Sequence, residues 1–265
     1  MSDVQELLPT MAAAAEEVGA LLLATPRPAP AADLAGYRRA FDALEAPAVA
    51  ILHRRLDPLR PGTPWADEME TRLPESGEVW VVDAVDGAVQ FLQHLPQFCV
   101  SLALVKDGEP VAAALHAPLL GETYLAAAGA GATRNGAAVA PSAKTDPQLA
   151  VVATSHPPFL GATQPEAAEP AGRALTAVLP AVAAVRNLGP TAWQLADTAA
   201  GRLDAFWEFG RDDANLLAGA LIAREAGALV TDVRGRPWRA GAESVLVAGP
   251  GLHPALQGLL APVSR

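Results

Sequence analysis

From residue 149 onward the chain alternates strand-length apolar runs with helix-length amphipathic ones, and that order constrains the fold more than any other feature. Residues 149–153 read as a strand, 169–179 as a helix, 181–188 as a strand, and 191–200 as a helix closed by Gly201. A strand at 205–208 and a helix at 214–226, closed by Gly227, come next. Strands at 229–232 and 244–248 and a helix at 253–260 finish the chain. Such interleaving predicts layered α/β structure with a partly parallel sheet.

The first half reads differently. Two helices are predicted, 2–24 and 34–56, with Pro47 expected to end or kink the second. Strands follow at 78–83, 98–106, 110–116 and 123–127, the middle pair joined at Asp107-Gly108. Residues 142–146 read as a connection, dividing one domain into lobes 1–143 and 144–265. No internal repeat is visible.

Composition narrows the function. Hydrophobic residues make up 51% and charged residues 18%, which excludes a disordered chain. A formal net charge of -10 argues against nucleic-acid binding through a basic patch. The lone cysteine, Cys99, lies in an apolar run and reads as a buried small hydrophobe. The N-terminal apolar residues have no basic flank and are interrupted by Glu16 and Glu17, so neither a signal peptide nor a membrane span is expected and the reading is cytoplasmic. The five histidines show no metal-ligand spacing, and neither a Walker-type loop nor a Gly-x-Ser-x-Gly elbow is present.

The chemistry concentrates in Trp80-Val-Val-Asp83-Ala-Val-Asp86-Gly87-Ala88. A buried strand delivers Asp83, Asp86 follows three residues later, and Gly87 precedes a possible helix start. Two carboxylates at a strand end suit a hard cation such as Mg²⁺, and the N–H groups of Gly87 and Ala88 suit a phosphate. The same spacing also fits a plain strand-end turn with Asp86 as helix N-cap.

This segment resembles the Asp-Pro-Ile-Asp-Gly-Thr-x-Asn-Phe motif of the inositol monophosphatases. The family's second motif, Trp-Asp-x-Ala-Ala-Gly and then Glu-Ala-Gly-Gly, is echoed by Ala214-Asn215-Leu-Leu-Ala-Gly219 and Glu225-Ala-Gly-Ala228. The stretches 129–136, 149–154, 186–191 and 199–210 are also family-like, so the resemblance runs along essentially the whole chain. It implies an αβαβα sandwich and a Mg²⁺-dependent phosphomonoesterase, with Mn²⁺ as the alternative cation. The implied substrate is a small polyol or sugar phosphate, with no nucleic acid or membrane as partner, and the implied assembly is a homodimer.

The resemblance also implies roles. Counting seven residues on from Pro61 gives Glu68 as the upstream metal ligand and water activator, with Asp67 and Glu70 near enough to substitute. Asp83 would bridge metals and act in catalysis, the Val85 carbonyl would bind the first metal, and Asp86 and Asn215 the second. Gly87 and Ala88 would bind phosphate, Glu208 a sugar hydroxyl, and Arg186 and Thr191 would lie at the substrate. Asp42 and Glu45 loosely match the family's acid pair on the upstream helix, and residues 155–159 would help shape the leaving-group pocket.

Departures from the pattern are specific. Ala88 stands where the family has a threonine whose hydroxyl orients the attacking water, and Asn215 stands where it has a metal-binding aspartate. Asp212 and Asp213, just upstream, read as an exposed acidic loop rather than as compensation. The departures leave two further readings: a catalytically weakened member that binds a phosphorylated ligand or a protein partner, and a repurposed site with a different reaction.

Overall fold

The computed structural model describes residues 3–66, 73–74, 76–157 and 159–264. Helices α1 (Leu8–Ala24) and α2 (Leu34–Leu56) open the chain. They precede β1 (Glu78–Asp86), α3 (Ala88–Leu92), β2 (Cys99–Lys106), β3 (Glu109–Ala117), β4 (Glu122–Ala127), β5 (Ala132–Arg134) and β6 (Ala137–Ala138). Then come β7 (Val151–Ser155), α4 (Leu160–Thr163), α5 (Ala168–Val178), β8 (Ala184–Arg186), α6 (Thr191–Ala199), β9 (Ala205–Phe209), α7 (Asp213–Glu225), β10 (Leu229–Thr231), β11 (Ser244–Ala248) and α8 (His253–Leu260).

Strands β1 to β6 form an antiparallel meander in sequence order. The second sheet runs β10-β11-β9-β7-β8, with β7 parallel to both β8 and β9. That is the partly parallel sheet expected from the alternation in the second half.

Period-two alternation sorts each strand's side chains into two cores. On β1 and β2, Trp80, Val82, Val100, Leu102 and Leu104 face α1 and α2, whereas Val79, Val81, Ala103 and Val105 face α6 and α7. On β9 and β11, Phe206, Val245 and Val247 share that middle core, while Ala205, Trp207, Phe209 and Leu246 face α5 and α8. The layers are therefore α1/α2, first sheet, α6/α7, second sheet, α5/α8: an αβαβα sandwich whose middle helices serve both sheets.

Two local expectations are revised. Helix α2 runs through Pro47. Its stripe Leu44, Ala48, Leu52 and Leu56 is buried on both sides of the proline, while Pro47 and Ala43 face solvent, where the missing hydrogen bond is least costly. The predicted strand at 149–153 lies two residues later, because Pro147–Leu149 forms a 3₁₀ turn. Residues Gln5–Ala24 have the length and apolar composition of a membrane-crossing helix. Their apolar stripe Met11, Ala15, Val18 and Leu22 is instead buried in the core shared with α2 and the first sheet.

Candidate functional site

The site is built where two strand-to-helix corners meet. At the first, β1 breaks register: Asp83 opposes Ser101 and Asp86 opposes Cys99, so three steps on β1 match two on β2. Strict alternation would send Asp83 and Asp86 to opposite faces. The bulge turns both Ala84 and Val85 into the α1/α2 core, and both aspartates line one cavity. Gly87 follows at φ +93 and caps α3. A Cβ there would stand 2.7 Å from Pro190 Cγ and 2.8 Å from the Gln97 carbonyl oxygen, so glycine alone lets the corner close against the start of α6.

The second corner joins β9 to α7. Asp212 is the N-cap of α7, yet its carboxylate does not cap the helix. It accepts a hydrogen bond from Asn215 Nδ2 at 2.7 Å instead, and its other oxygen, Oδ2, is buried with no donor among the described residues. Asp213 is spent on structure, both its oxygens accepting from the Gly241 N–H at 2.9 and 2.8 Å. The expected exposed acidic loop is thus corrected: Asp212 is 8% and Asp213 3% exposed, because α7 begins here against the second sheet.

One cavity of about 550 Å³ receives both corners. Asp83, Val85, Asp86, Gly87, Ala88, Thr191 and Asn215 line it as expected, and so does Asp212. Two other candidates, Glu208 and Arg186, do not. Glu208 is fully buried: alternation on β9 turns it under α6, where Thr191 Oγ1 donates to its Oε2 at 3.3 Å. Arg186 is exposed on β8, its guanidinium donating to the Val185 carbonyl, and it is not among the cavity's lining residues. Glu68, with Asp67 and Glu70, lies outside the described residues. Asp42 is exposed on α2 and Glu45 half-buried there, and neither lines the cavity.

Sequence reasoning missed Tyr37, Phe41 and Arg38, which wall the cavity from α2. A signal was present. Tyr37 and Phe41 continue the Leu44–Ala48–Leu52–Leu56 stripe toward the start of α2, at helical spacing.

The electrostatics are those of crowded acid. Burial, with Asp83 and Asp212 nearby, pushes the Asp86 carboxyl well above the usual range. Ala192 N–H and Cys99 Sγ–H donate to its Oδ2 at 3.2 and 3.6 Å and only partly offset that rise. Glu208 is raised by burial and by the neighbouring Asp212. Burial pushes Asp212 up to about 6, opposed by its hydrogen bond from Asn215. Carboxylates pressed together without a cation hold protons in its place.

Whether this set suits a divalent cation can be judged from its donors. The carboxylates of Asp83, Asp86 and Asp212, the Val85 main chain and the Asn215 amide are all hard oxygen donors on one cavity, and Asp212 Oδ2 is a buried oxygen lacking a partner. Among the described residues no three His, Cys, Asp or Glu side chains are grouped closely enough to hold an ion unaided. Mg²⁺ does not require that, since it typically takes one or two carboxylates and completes its shell with water and substrate phosphate. The donor set fits.

Residues 53–265 match the inositol monophosphatase family. An inositol-1-monophosphatase of Mesorhizobium japonicum is 35% identical over 197 residues, 70% of this chain and 69% of its own. A Nus factor SuhB of Vibrio cholerae is 36% identical over 156 residues, 59% of this chain, and the match spans 57% of that relative's length. The solved inositol monophosphatase from Anabaena superposes with a TM-score of 0.81 at 26% identity, covering 99% of this chain and 97% of its own. The chain belongs to the inositol monophosphatase family.

Proposed function

We propose that this protein is a divalent-cation-dependent phosphomonoesterase, using Mg²⁺ or Mn²⁺ on a small phosphorylated metabolite. The observation that carries the reading is the convergence of Asp83, Asp86 and Asp212, from two corners, on one cavity. Asp83, Val85, Asp86, Asp212 and Asn215 are the residues to hold the cation. Asp212 supplies the charge that Asn215 lacks, and Asn215 orients Asp212 through its amide. A bound divalent cation supplies Lewis-acid stabilisation of phosphoryl oxygens. Gly87 and Ala88 offer first-turn N–H groups of α3, which a helix leaves without internal partners, to the phosphate. Arg38 and Arg211 add positive charge on the same cavity.

Mn²⁺ titration of the full chain, followed by electron paramagnetic resonance, tests the reading alongside phosphate release from small monoesters. Wild type is expected to take up Mn²⁺, and Asp212→Asn to weaken that uptake by about tenfold through loss of one ligand charge. A wild-type chain that binds no Mn²⁺ and releases no phosphate overturns the proposal.

One observation favours the second reading, a member weakened in catalysis. Ala88 lines the cavity without a hydroxyl. If that reading holds, Ala88→Thr raises turnover by about tenfold or more, the scale of one group acting on a catalytic water. No gain, with good starting activity, counts against it.

A further inference from the structure

We infer that the leaving group this site accepts is a flat aromatic or heteroaromatic ring carried on a phosphomonoester, rather than a bare polyol. The inference rests on the phosphatase reading for the acidic end of the cavity. It adds what the remaining walls select.

Three aromatic side chains line that cavity: Tyr37 and Phe41 from α2, and Phe159 from the segment after β7. Tyr37 and Phe41 are stacked, with ring centroids 6.3 Å apart and planes 9° apart. Phe159 meets Tyr37 edge-on, at 6.5 Å and 77°. Such a corner presents both a ring face and a ring edge, the two geometries in which aromatic groups associate.

Phe159 has no core role that accounts for it. Its side chain is 53% exposed, and its backbone sits at φ +53, a region that bulky side chains seldom occupy. Strained positions of this kind gather at ligand sites. The hydroxyl-recognising group expected for a polyol is meanwhile out of reach: Glu208 is fully buried and bonded to Thr191. Against this wall a polyol would set hydroxyls on aromatic carbon, whereas a ring would cover it.

The test compares two alkyl phosphates, benzyl phosphate and glycerol 3-phosphate, with the full chain and Mg²⁺. Their leaving groups are both alcohols, so ring recognition and not leaving-group acidity dominates the ratio. Benzyl phosphate is expected to show about tenfold higher kcat/KM, carried mainly by KM. Phe159→Ala, at a half-exposed position, is expected to collapse that ratio, whereas a merely structural defect would lower both substrates and leave the ratio standing. Calorimetric binding of phenylphosphonate against methylphosphonate provides a readout without turnover, with the phenyl compound expected to bind about tenfold tighter. Equal kcat/KM and equal phosphonate affinity overturn the inference and leave the phosphatase reading intact. Preferential phenylphosphonate binding without hydrolysis of either ester supports ring recognition by this wall and counts against the phosphatase reading. Binding of neither phosphonate overturns the inference.

Discussion

At the β1–α3 corner the acids are held by main chain: Val85 N–H donates to Asp83 Oδ1 at 2.9 Å, and Ala192 N–H to Asp86 Oδ2 at 3.2 Å. At the β9–α7 corner Asp212 is held by a side chain, the Asn215 amide at 2.7 Å, with no cap bond from its carboxylate to the helix it opens. A main-chain donor is fixed by the fold and survives nearly any substitution of its own residue. A side-chain donor disappears with one. The first corner is therefore a property of the bulge in β1, and the second is a two-residue arrangement in which Asp212 and Asn215 are read together. On the proposed reading, that difference lets Asp212 carry the acid that position 215 lacks.

The largest expected effect lies at the main-chain-held corner. Asp83→Asn keeps the acceptor for the Val85 N–H and removes the charge, so the fold should stand while chemistry is lost. Cation-dependent phosphate release is expected to fall by about a thousandfold, the upper range for removing one electrostatic stabiliser. Thermal unfolding should move little. A variant that keeps the wild-type rate breaks the comparison, because the cation would then depend on the other corner alone.

The next effect is a pH dependence. An ordinary carboxyl titrates near 4, whereas folded Asp212 is pushed up to about 6 and Asp86 and Glu208 are raised as well. Across that window the cation-free native chain holds protons that the unfolded chain has released. Its stability is therefore greatest below the unfolded value and is lost as pH rises through the folded one. Asp212 contributes no more than about 3 kcal/mol of that loss. Urea denaturation in chelator at pH 5 and 7.5 measures it. Asp212→Asn should flatten the slope, and so should Mn²⁺, which displaces the protons it competes with. A slope unchanged by either would show that Asp212 is not the titrating partner of this cavity.

The fold was legible because period-two and helical patterns are written along single elements, and each sheet face and helix stripe repeats them. The partly parallel sheet was expected from element order, whereas which strands pair, with β7 parallel to β8 and β9, was not. The site was legible only where one segment carried it. Asp83, Asp86 and Gly87 are neighbours in sequence, so their motif showed. Glu208 carried an equally clear motif, but its exposure was decided by α6, a separate element that lays Thr191 over it. Asp212 read as a loop acid because nothing local reveals that the second sheet and α7 close around it. Phe159 reaches Tyr37 only across the fold, from a segment more than a hundred residues away.

Asn215→Asp sharpens the comparison most finely, because the sequence pattern and the structure expect opposite results. By pattern, an aspartate at 215 restores a family ligand and should tighten cation binding. In this fold it deletes the donor that orients Asp212 and sets a second carboxylate against it, with Glu208 already sharing the same buried space. An acid in the first turn of α7 gains a few tenths of a kcal/mol from the helix dipole. The lost hydrogen bond and the added repulsion together cost about 1–2 kcal/mol. The expected outcome is a lower thermal midpoint in chelator and Mn²⁺ affinity no better than wild type. Adding Asp212→Asn to the same chain should recover both, since it rebuilds the acid–amide pair with the two residues exchanged. If Asn215→Asp alone tightens Mn²⁺ binding tenfold, Asp212 is not a ligand, and the second corner works as the family motif would have it.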